Sequence, residues 1–111
     1  MDRNDFLAHV RQTHFAPGDR EAAQLDACRI ARFLRQQGAS RVIGIGSAFV
    51  PTRRFTKRSD LDLLVEGLPP RRFFRVSAKA ADMTAFELDL TPVESATHYM
   101  RQAVDDEGVD L

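Results

Sequence analysis

Hydrophobic residues recur at helical spacing between Asp19 and Gly38. Aspartate is a favoured residue at a helix N-cap and glycine is favoured just after a helix end, so the segment predicts one amphipathic helix between them. The side chains expected on its buried face are those of Ala23, Ala27, Ile30, Ala31 and Leu34. Cys28 lies in the same helix and is expected to be a small buried hydrophobic residue.

A shorter helical pattern covers residues 3–14, and the Ala16-Pro17-Gly18 stretch separates it from the main helix. We therefore expect an N-terminal helical extension over residues 1–18 and a single domain over residues 19–111.

Strand patterns follow the main helix. Residues 42–45 form a short β-branched run that ends at Gly46, and residues 60–66 alternate strictly between two faces. One face of the second segment carries Leu61, Leu63 and Val65, and the other carries Asp60, Asp62 and Leu64. A third alternating segment covers residues 86–90, with Glu87 and Asp89 on its polar face.

Two further helices complete the pattern. Pro70 suits the first turn of a helix whose buried stripe is Phe73, Val76 and Ala80. Thr91-Pro92-Val93-Glu94 has the form of a capping box, which predicts a helix from there to Gly108. Its inward residues are expected to be Val93, Ala96, Met100, Ala103 and Val104. A short edge strand over residues 109–111 would close an α+β domain with one sheet covered by helices.

Composition narrows the class of protein but does not identify it. The 111 residues include 16 basic and 16 acidic side chains, so net charge gives no argument for binding nucleic acid or membranes. The single cysteine excludes an internal disulfide. No run of about twenty apolar residues or signal-peptide core is present, and we therefore expect a cytoplasmic protein. The three histidines lack metal-ligand spacing, and Tyr99 is expected to pack or to lie on a helix surface.

The candidate chemistry begins with Asp60 and Asp62. Residues two apart on a strand point the same way with Cα atoms roughly 6–7 Å apart, so the two carboxylates repel each other unless a cation lies between them. Carboxylate oxygens suit Mg²⁺. If the third strand lies next to the second in the sheet, Asp89 lies beside Asp60 and Asp62, and a two-metal site becomes possible. Glu87 is the alternative to Asp89 as the third carboxylate. The alternative is that these acids form the solvated face of an edge strand.

Gly46-Ser47 is the second candidate element. Glycine allows close backbone approach to a phosphate, and amides in such a turn form an anion site to which Ser47 can add a hydroxyl donor. Arg53, Lys57 and Arg58 follow in a basic loop. An ordinary turn and a solvated basic loop are the competing interpretations.

Together, Gly46-Ser47, the later Ser59-Asp60-Leu61-Asp62-Leu63-Leu64-Val65 and Phe86-Glu87-Leu88-Asp89-Leu90 resemble the signature of the DNA polymerase β-like nucleotidyltransferase superfamily. The chain is similar in particular to its smallest branch, the minimal nucleotidyltransferase (MNT) domains. The resemblance covers roughly residues 20 to 111. It departs from the family pattern at residues 48–52, which replace an Ala-Arg-Gly-Glu-like stretch.

The resemblance implies a small mixed sheet of the polymerase β palm type. It implies that Asp60, Asp62 and Asp89 are catalytic and hold two Mg²⁺ ions, and that ATP binds at Gly46 and Ser47. The basic residues Arg53, Lys57 and Arg58 are expected to replace the phosphate contacts of the altered stretch. The expected reaction is transfer of AMP from ATP to a hydroxyl. The expected acceptor is a tyrosine of a HEPN toxin, for which the chain would act as an antitoxin.

Two other functions remain open at this point. A non-catalytic module that binds nucleotide or toxin would explain the altered residues 48–52. Transfer to a small molecule is disfavoured because no second domain is left to bind it, and nucleic acid is not expected as a direct substrate. The base preference and the oligomeric state are left open by the residues.

Overall fold

The computed structural model describes residues 17–56 and 59–111. The elements along the chain are helix α1 (Pro17–Gln36), strand β1 (Arg41–Ile45), strand β2 (Asp60–Glu66), helix α2 (Pro70–Ala81), strand β3 (Glu87–Pro92), a 3₁₀ turn (Val93–Ser95), helix α3 (His98–Glu107) and strand β4 (Val109–Asp110). The predicted extension, residues 1–18, lies outside the described residues except for Pro17 and Gly18, which begin α1.

The four strands form one mixed sheet in the order β3-β2-β1-β4. Strand β1 is antiparallel to both β2 and β4, whereas β2 and β3 are parallel and joined through α2. The expected α+β fold with a small mixed sheet is confirmed. Because β2 is an interior strand between β1 and β3, its side chains have neighbours on both sides.

The apolar face of the sheet is covered by α1 and α2. All five residues expected on the inner face of α1 have no exposed surface, and Leu61, Leu63 and Val65 on β2 are at most 1% exposed. On α2, Val76 and Ala80 are buried and Phe73 packs partly buried against the same cluster. This face holds the main core of the domain.

Within the described residues, the opposite face is covered at one end. There α3 packs on a small cluster formed by Ile43, Ile45 and Leu64. The helix and turn residues that pack against the cluster are Val93, Ala96, Met100, Ala103 and Val104, as the spacing predicted. The other end of this face carries the carboxylates of β2 and β3.

Two predicted caps are wrong. Helix α1 begins at Pro17, so Asp19 lies in its first turn rather than at its N-cap, which agrees with the tolerance of proline in the first helical turn. The predicted capping box at Thr91 belongs instead to β3 and the 3₁₀ turn. Proline is tolerated at position 92 because β3 is an edge strand, and Thr97 caps α3 by accepting from the amide of Met100.

Cys28 is exposed, which contradicts the expected burial. The inner face of α1 is already filled by residues at helical spacing, including Ala27 and Ala31, and Cys28 falls on the outer side of that stripe. Tyr99 is 83% exposed on α3, so it lies on the helix surface.

Candidate active site

Asp62 is the central acidic residue of the sheet. In the register of the strands it lies between Ile45 of β1 and Asp89 of β3, and it is less exposed than Asp60 or Asp89. Partial burial, followed by the negative charges of Asp89 and Asp60, raises the pKa of Asp62 to about 6. Both effects penalise the ionised form, so the folded chain holds an uncompensated negative charge here near neutral pH.

The parallel pairing of β2 and β3 brings four acids onto one face. Asp60 is paired with Glu87, and Asp62 is paired with Asp89. Among the neighbouring charges, those of Asp89 and Asp60 add to the effect of burial in raising the pKa of Asp62, and Glu87 is not among them. This difference favours Asp89 over Glu87 as the third member of the group.

These acids suit a divalent cation by their chemistry. No hydrogen bond or ion pair joins the carboxylates of Asp60, Asp62 or Asp89 to another side chain within residues 17–56 and 59–111. In the conformations that the side chains adopt, no three His, Cys, Asp or Glu residues in that part of the chain lie close enough together to form a preformed metal site. The fit therefore rests on the donor set: hard oxygen ligands with unneutralised charge are what Mg²⁺ binds.

The turn after β1 is adjacent to Asp62. Gly46 has a φ of 86°, in the region that favours glycine, and a Cβ atom there would lie 2.9 Å from Oδ2 of Asp62. The turn is closed by a 3.0 Å hydrogen bond from the amide of Phe49 to the carbonyl of Gly46. Glycine at position 46 is thus required both by its backbone conformation and by its close approach to the carboxylate.

Two backbone amides of this turn are candidates for binding an anion. Within the described residues, the N–H groups of Ser47 and Ala48 have no hydrogen-bond acceptor, although Ala48 has no exposed surface. Buried backbone donors nearly always have a partner, so the unpaired amide of the buried Ala48 is unusual, and Ser47 beside it is partly exposed and open to a ligand. An anion beside Asp62 would be repelled by the carboxylate unless a cation lay between them.

Phe49, one of the residues that depart from the family pattern, has a structural role. Phe49 is 9% exposed, and its ring lies over Gly44, where a Cβ atom would come within 2.5 Å of Cε2 and Cζ. Gly44 lies on the apolar face of β1. Because it has no side chain, it leaves the space that the ring of Phe49 fills. Phe49 therefore anchors the loop to the core in place of the polar residue of the family pattern.

Two residues of α1 hold this loop, and neither was predicted from the sequence. Arg20 donates from Nε to the carbonyl of Ser47 at 3.1 Å, and its other nitrogens donate to the carbonyls of Pro51 and Arg53. Gln24 donates to the carbonyl of Ala48 at 2.7 Å. The only available signal was a polar pair four residues apart on one side of an amphipathic helix, which is common on helix surfaces.

The basic residues predicted to bind nucleotide are placed differently. Nη1 of Arg53 donates to Oε1 of Glu107 at 2.9 Å, which links the loop to the end of α3. Lys57 and Arg58 lie outside the described residues. The structure thus brings Gly46, Ser47 and Asp62 together, and gives Arg53 an acidic partner outside that group.

With this geometry in view, the chain is similar to solved toxin–antitoxin structures. One is the MntA–HpeT pair in a variant with two Asp→Glu substitutions two residues apart, with a TM-score of 0.61 and 20% identity over 76% of this chain and 70% of that chain. Another contains AMP-PNP, with a TM-score of 0.60 and 22% identity over 76% of this chain and 70% of that chain. A third is a tri-AMPylated Shewanella oneidensis HEPN toxin in complex with an MNT antitoxin, with a TM-score of 0.58 and 22% identity over 79% of this chain and 70% of that chain.

The chain has the fold of the MNT antitoxins. Neither a protein-family model nor a curated protein sequence matches it. Among the helices in the described ranges, none combines the length and the apolar character that crossing a bilayer requires.

Proposed function

We propose that the chain is a metal-dependent nucleotidyltransferase of the MNT antitoxin type. It transfers AMP from ATP to a hydroxyl acceptor, and the acceptor is a tyrosine of a HEPN-type toxin to which the chain also binds. The observation that carries the proposal is the adjacency of Asp62 to the Gly46 turn, whose Ser47 and Ala48 amides have no acceptor among the described residues.

Each half of this site needs the other. The free amides suit phosphate oxygens, whereas the neighbouring carboxylates repel them. Two Mg²⁺ ions, held by Asp60, Asp62 and Asp89, would neutralise the acids and stabilise charge on the attacking and leaving oxygens of a phosphoryl transfer. The fold shared with an antitoxin crystallised with AMP-PNP supports the choice of nucleotide.

In this proposal each residue of the site has a separate role. Ser47 and Ala48 bind the triphosphate through their amides, and Gly46 allows it to approach Asp62. The acceptor oxygen forms a bond to the α-phosphorus as the bond to the bridging oxygen breaks, and pyrophosphate leaves. Asp89 is exposed, and in this proposal it orients the acceptor hydroxyl and takes its proton.

The test is transfer of label from α-phosphate-labelled ATP to a HEPN-type toxin, in the presence of Mg²⁺. Asp62→Asn and Asp89→Asn should abolish labelling, and Glu87→Gln should retain it. Glu66→Gln is the matched control because Glu66 lies on the same face of β2 at its other end. Labelling that persists in Asp62→Asn would contradict the proposal.

A non-catalytic module that binds and neutralises its partner is the second candidate. It is favoured by Phe49, which fills a core position where the family pattern has a polar stretch, and by Arg53, which pairs with Glu107. A wild-type complex that forms and neutralises the toxin without any labelling would support this function over the first.

A further inference from the structure

Arg20 donates more hydrogen bonds to the loop after β1 than any other side chain in the described ranges. Its guanidinium donates to three loop carbonyls, those of Ser47, Pro51 and Arg53. One helical turn later, Gln24 donates to the carbonyl of Ala48. Since α1 is anchored in the core through an inner face with no exposed surface, both side chains project from a rigid support.

The bond to Ser47 sets the direction of an amide that the proposed site uses. The carbonyl of Ser47 and the N–H of Ala48 belong to one planar trans peptide, in which the two groups point in opposite directions. When Nε of Arg20 holds that carbonyl towards α1, the Ala48 N–H is turned away from α1. This N–H is one of the two amides without an acceptor in the described residues.

The guanidinium is itself braced on the core. Its central carbon lies 5.9 Å from the ring centre of Phe55, which is 7% exposed and packs against Phe86 with ring centres 5.6 Å apart. All three nitrogens of the guanidinium have carbonyl partners in the loop. Three of the five N–H donors of Arg20 are thus directed to loop carbonyls, so its main contacts are with the loop backbone.

We propose that Arg20, assisted by Gln24, is a positioning residue for the triphosphate: by holding the carbonyls of residues 47–53 against α1, it presents the Ser47 and Ala48 amides to the phosphates. This inference rests on the proposed nucleotide site and adds the residue that shapes it. Arg20 acts through the loop backbone, so its contribution concerns the phosphates and is independent of the base.

The experiment measures binding of two probes, Mg-ATP and Mg-tripolyphosphate, to the full chain. Arg20→Ala should weaken both by the same factor, about ten- to a hundredfold, which is the scale of one or two charge-assisted hydrogen bonds. Arg20→Lys should fall between wild type and Arg20→Ala because one ammonium group cannot reach three carbonyls in fixed geometry. Gln24→Ala should give a smaller loss of the same kind.

The matched control is Arg32→Ala. Arg32 is an exposed arginine of the same helix with no hydrogen bond or ion pair to a described side chain. It should bind both probes like wild type. Guanidinium ion at millimolar concentration should partly restore binding to Arg20→Ala and have no effect on Arg32→Ala, which a general loss of stability would not produce.

The outcomes separate the two claims. If wild type binds both probes and Arg20→Ala binds them equally well, the positioning role is overturned and the nucleotide site stands. A loss for Mg-ATP without a loss for Mg-tripolyphosphate also overturns it, because the effect then involves the nucleoside. If wild type binds neither probe, alone or with its partner, the proposed nucleotide site fails and the role of Arg20 fails with it.

Discussion

Asp62 and Leu63 are neighbours on β2, yet their side chains lie in opposite environments. Leu63 points into a dry core under two helices and is 1% exposed, whereas Asp62 points to the face where its charge meets two other carboxylates. The first face stabilises the domain by burying apolar surface. The second face carries unfavourable negative charge, which a bound cation or a proton relieves. One strand thus separates a stability function from a binding function by single-residue alternation.

The largest effect on label transfer should come from Asp62→Asn, because this substitution changes only the charged face of the sheet. Transfer should fall by about three orders of magnitude or more, since metal ions contribute several kcal/mol to such a transition state. The metal-free protein should become more stable at neutral pH because a repelled, partly buried charge is removed. Rates of label transfer and thermal unfolding measure the two effects, and a variant that lost both activity and stability would break the comparison.

The opposite result is expected from Leu63→Ala on the apolar face. Removal of a fully buried leucine should lower the free energy of unfolding by about 3 kcal/mol, through lost transfer energy and a residual cavity. At temperatures where the variant remains folded, nucleotide affinity should change little. Denaturant unfolding and Mg-ATP titration test this. A large affinity change in a folded variant would show that the two faces are coupled.

Gly44 in β1 and Gly46 just after it test the same separation between a stabilising face and a binding face. Gly44→Ala would place a Cβ against the ring of Phe49 and should cost about 1–3 kcal/mol, with partial recovery when Phe49→Leu is added. Gly46→Ala should cost about 1–2 kcal/mol from its positive φ and also weaken nucleotide binding, because the methyl group meets the carboxylate of Asp62. Equal loss of affinity in both variants would contradict the assignment of Gly44 to the core alone.

The pH dependence of stability should carry the signature of Asp62. Its pKa is raised from 3.8 to about 6, so the folded chain binds the proton more tightly than the unfolded chain. This contribution to stability is complete below about pH 4 and is lost as pH rises to about 6, amounting to about 1–2 kcal/mol after allowance for solvent screening. Unfolding of wild type and Asp62→Asn across that range isolates the contribution. A constant difference between the two proteins would contradict it.

The smallest effects are expected at the Arg53–Glu107 pair. Both variants, Arg53→Ala and Glu107→Ala, should change the free energy of unfolding by less than about 1 kcal/mol because Arg53 is half exposed. Their Mg-ATP affinities decide the predicted role of Arg53. A loss in Arg53→Ala together with an unchanged or higher affinity in Glu107→Ala would support nucleotide binding. Equal affinities would assign Arg53 to the link between the loop and α3.

Much of the fold could be predicted because periodicity is a local property. The inner stripe of α1 and the apolar face of β2 followed from spacing, and the structure buries both. The errors occurred where two local signals competed. Thr91-Pro92-Val93-Glu94 fits a capping box, but pairing of β3 with β2 extends the strand through Pro92 and delays α3 to Thr97. Tertiary pairing overrode the local preference there.

The candidate site divides in the same way. The sequence by itself determined that Asp60 and Asp62 share one face of a strand and that Gly46 ends the preceding one, because alternation and turn chemistry need no distant partner. Only the tertiary structure decided that Asp62 pairs with Asp89, that Gly46 abuts the Asp62 carboxylate, and that Arg20 holds the loop. Those contacts depend on strand order and register, which arise from packing across the whole domain and cannot be read from neighbouring residues.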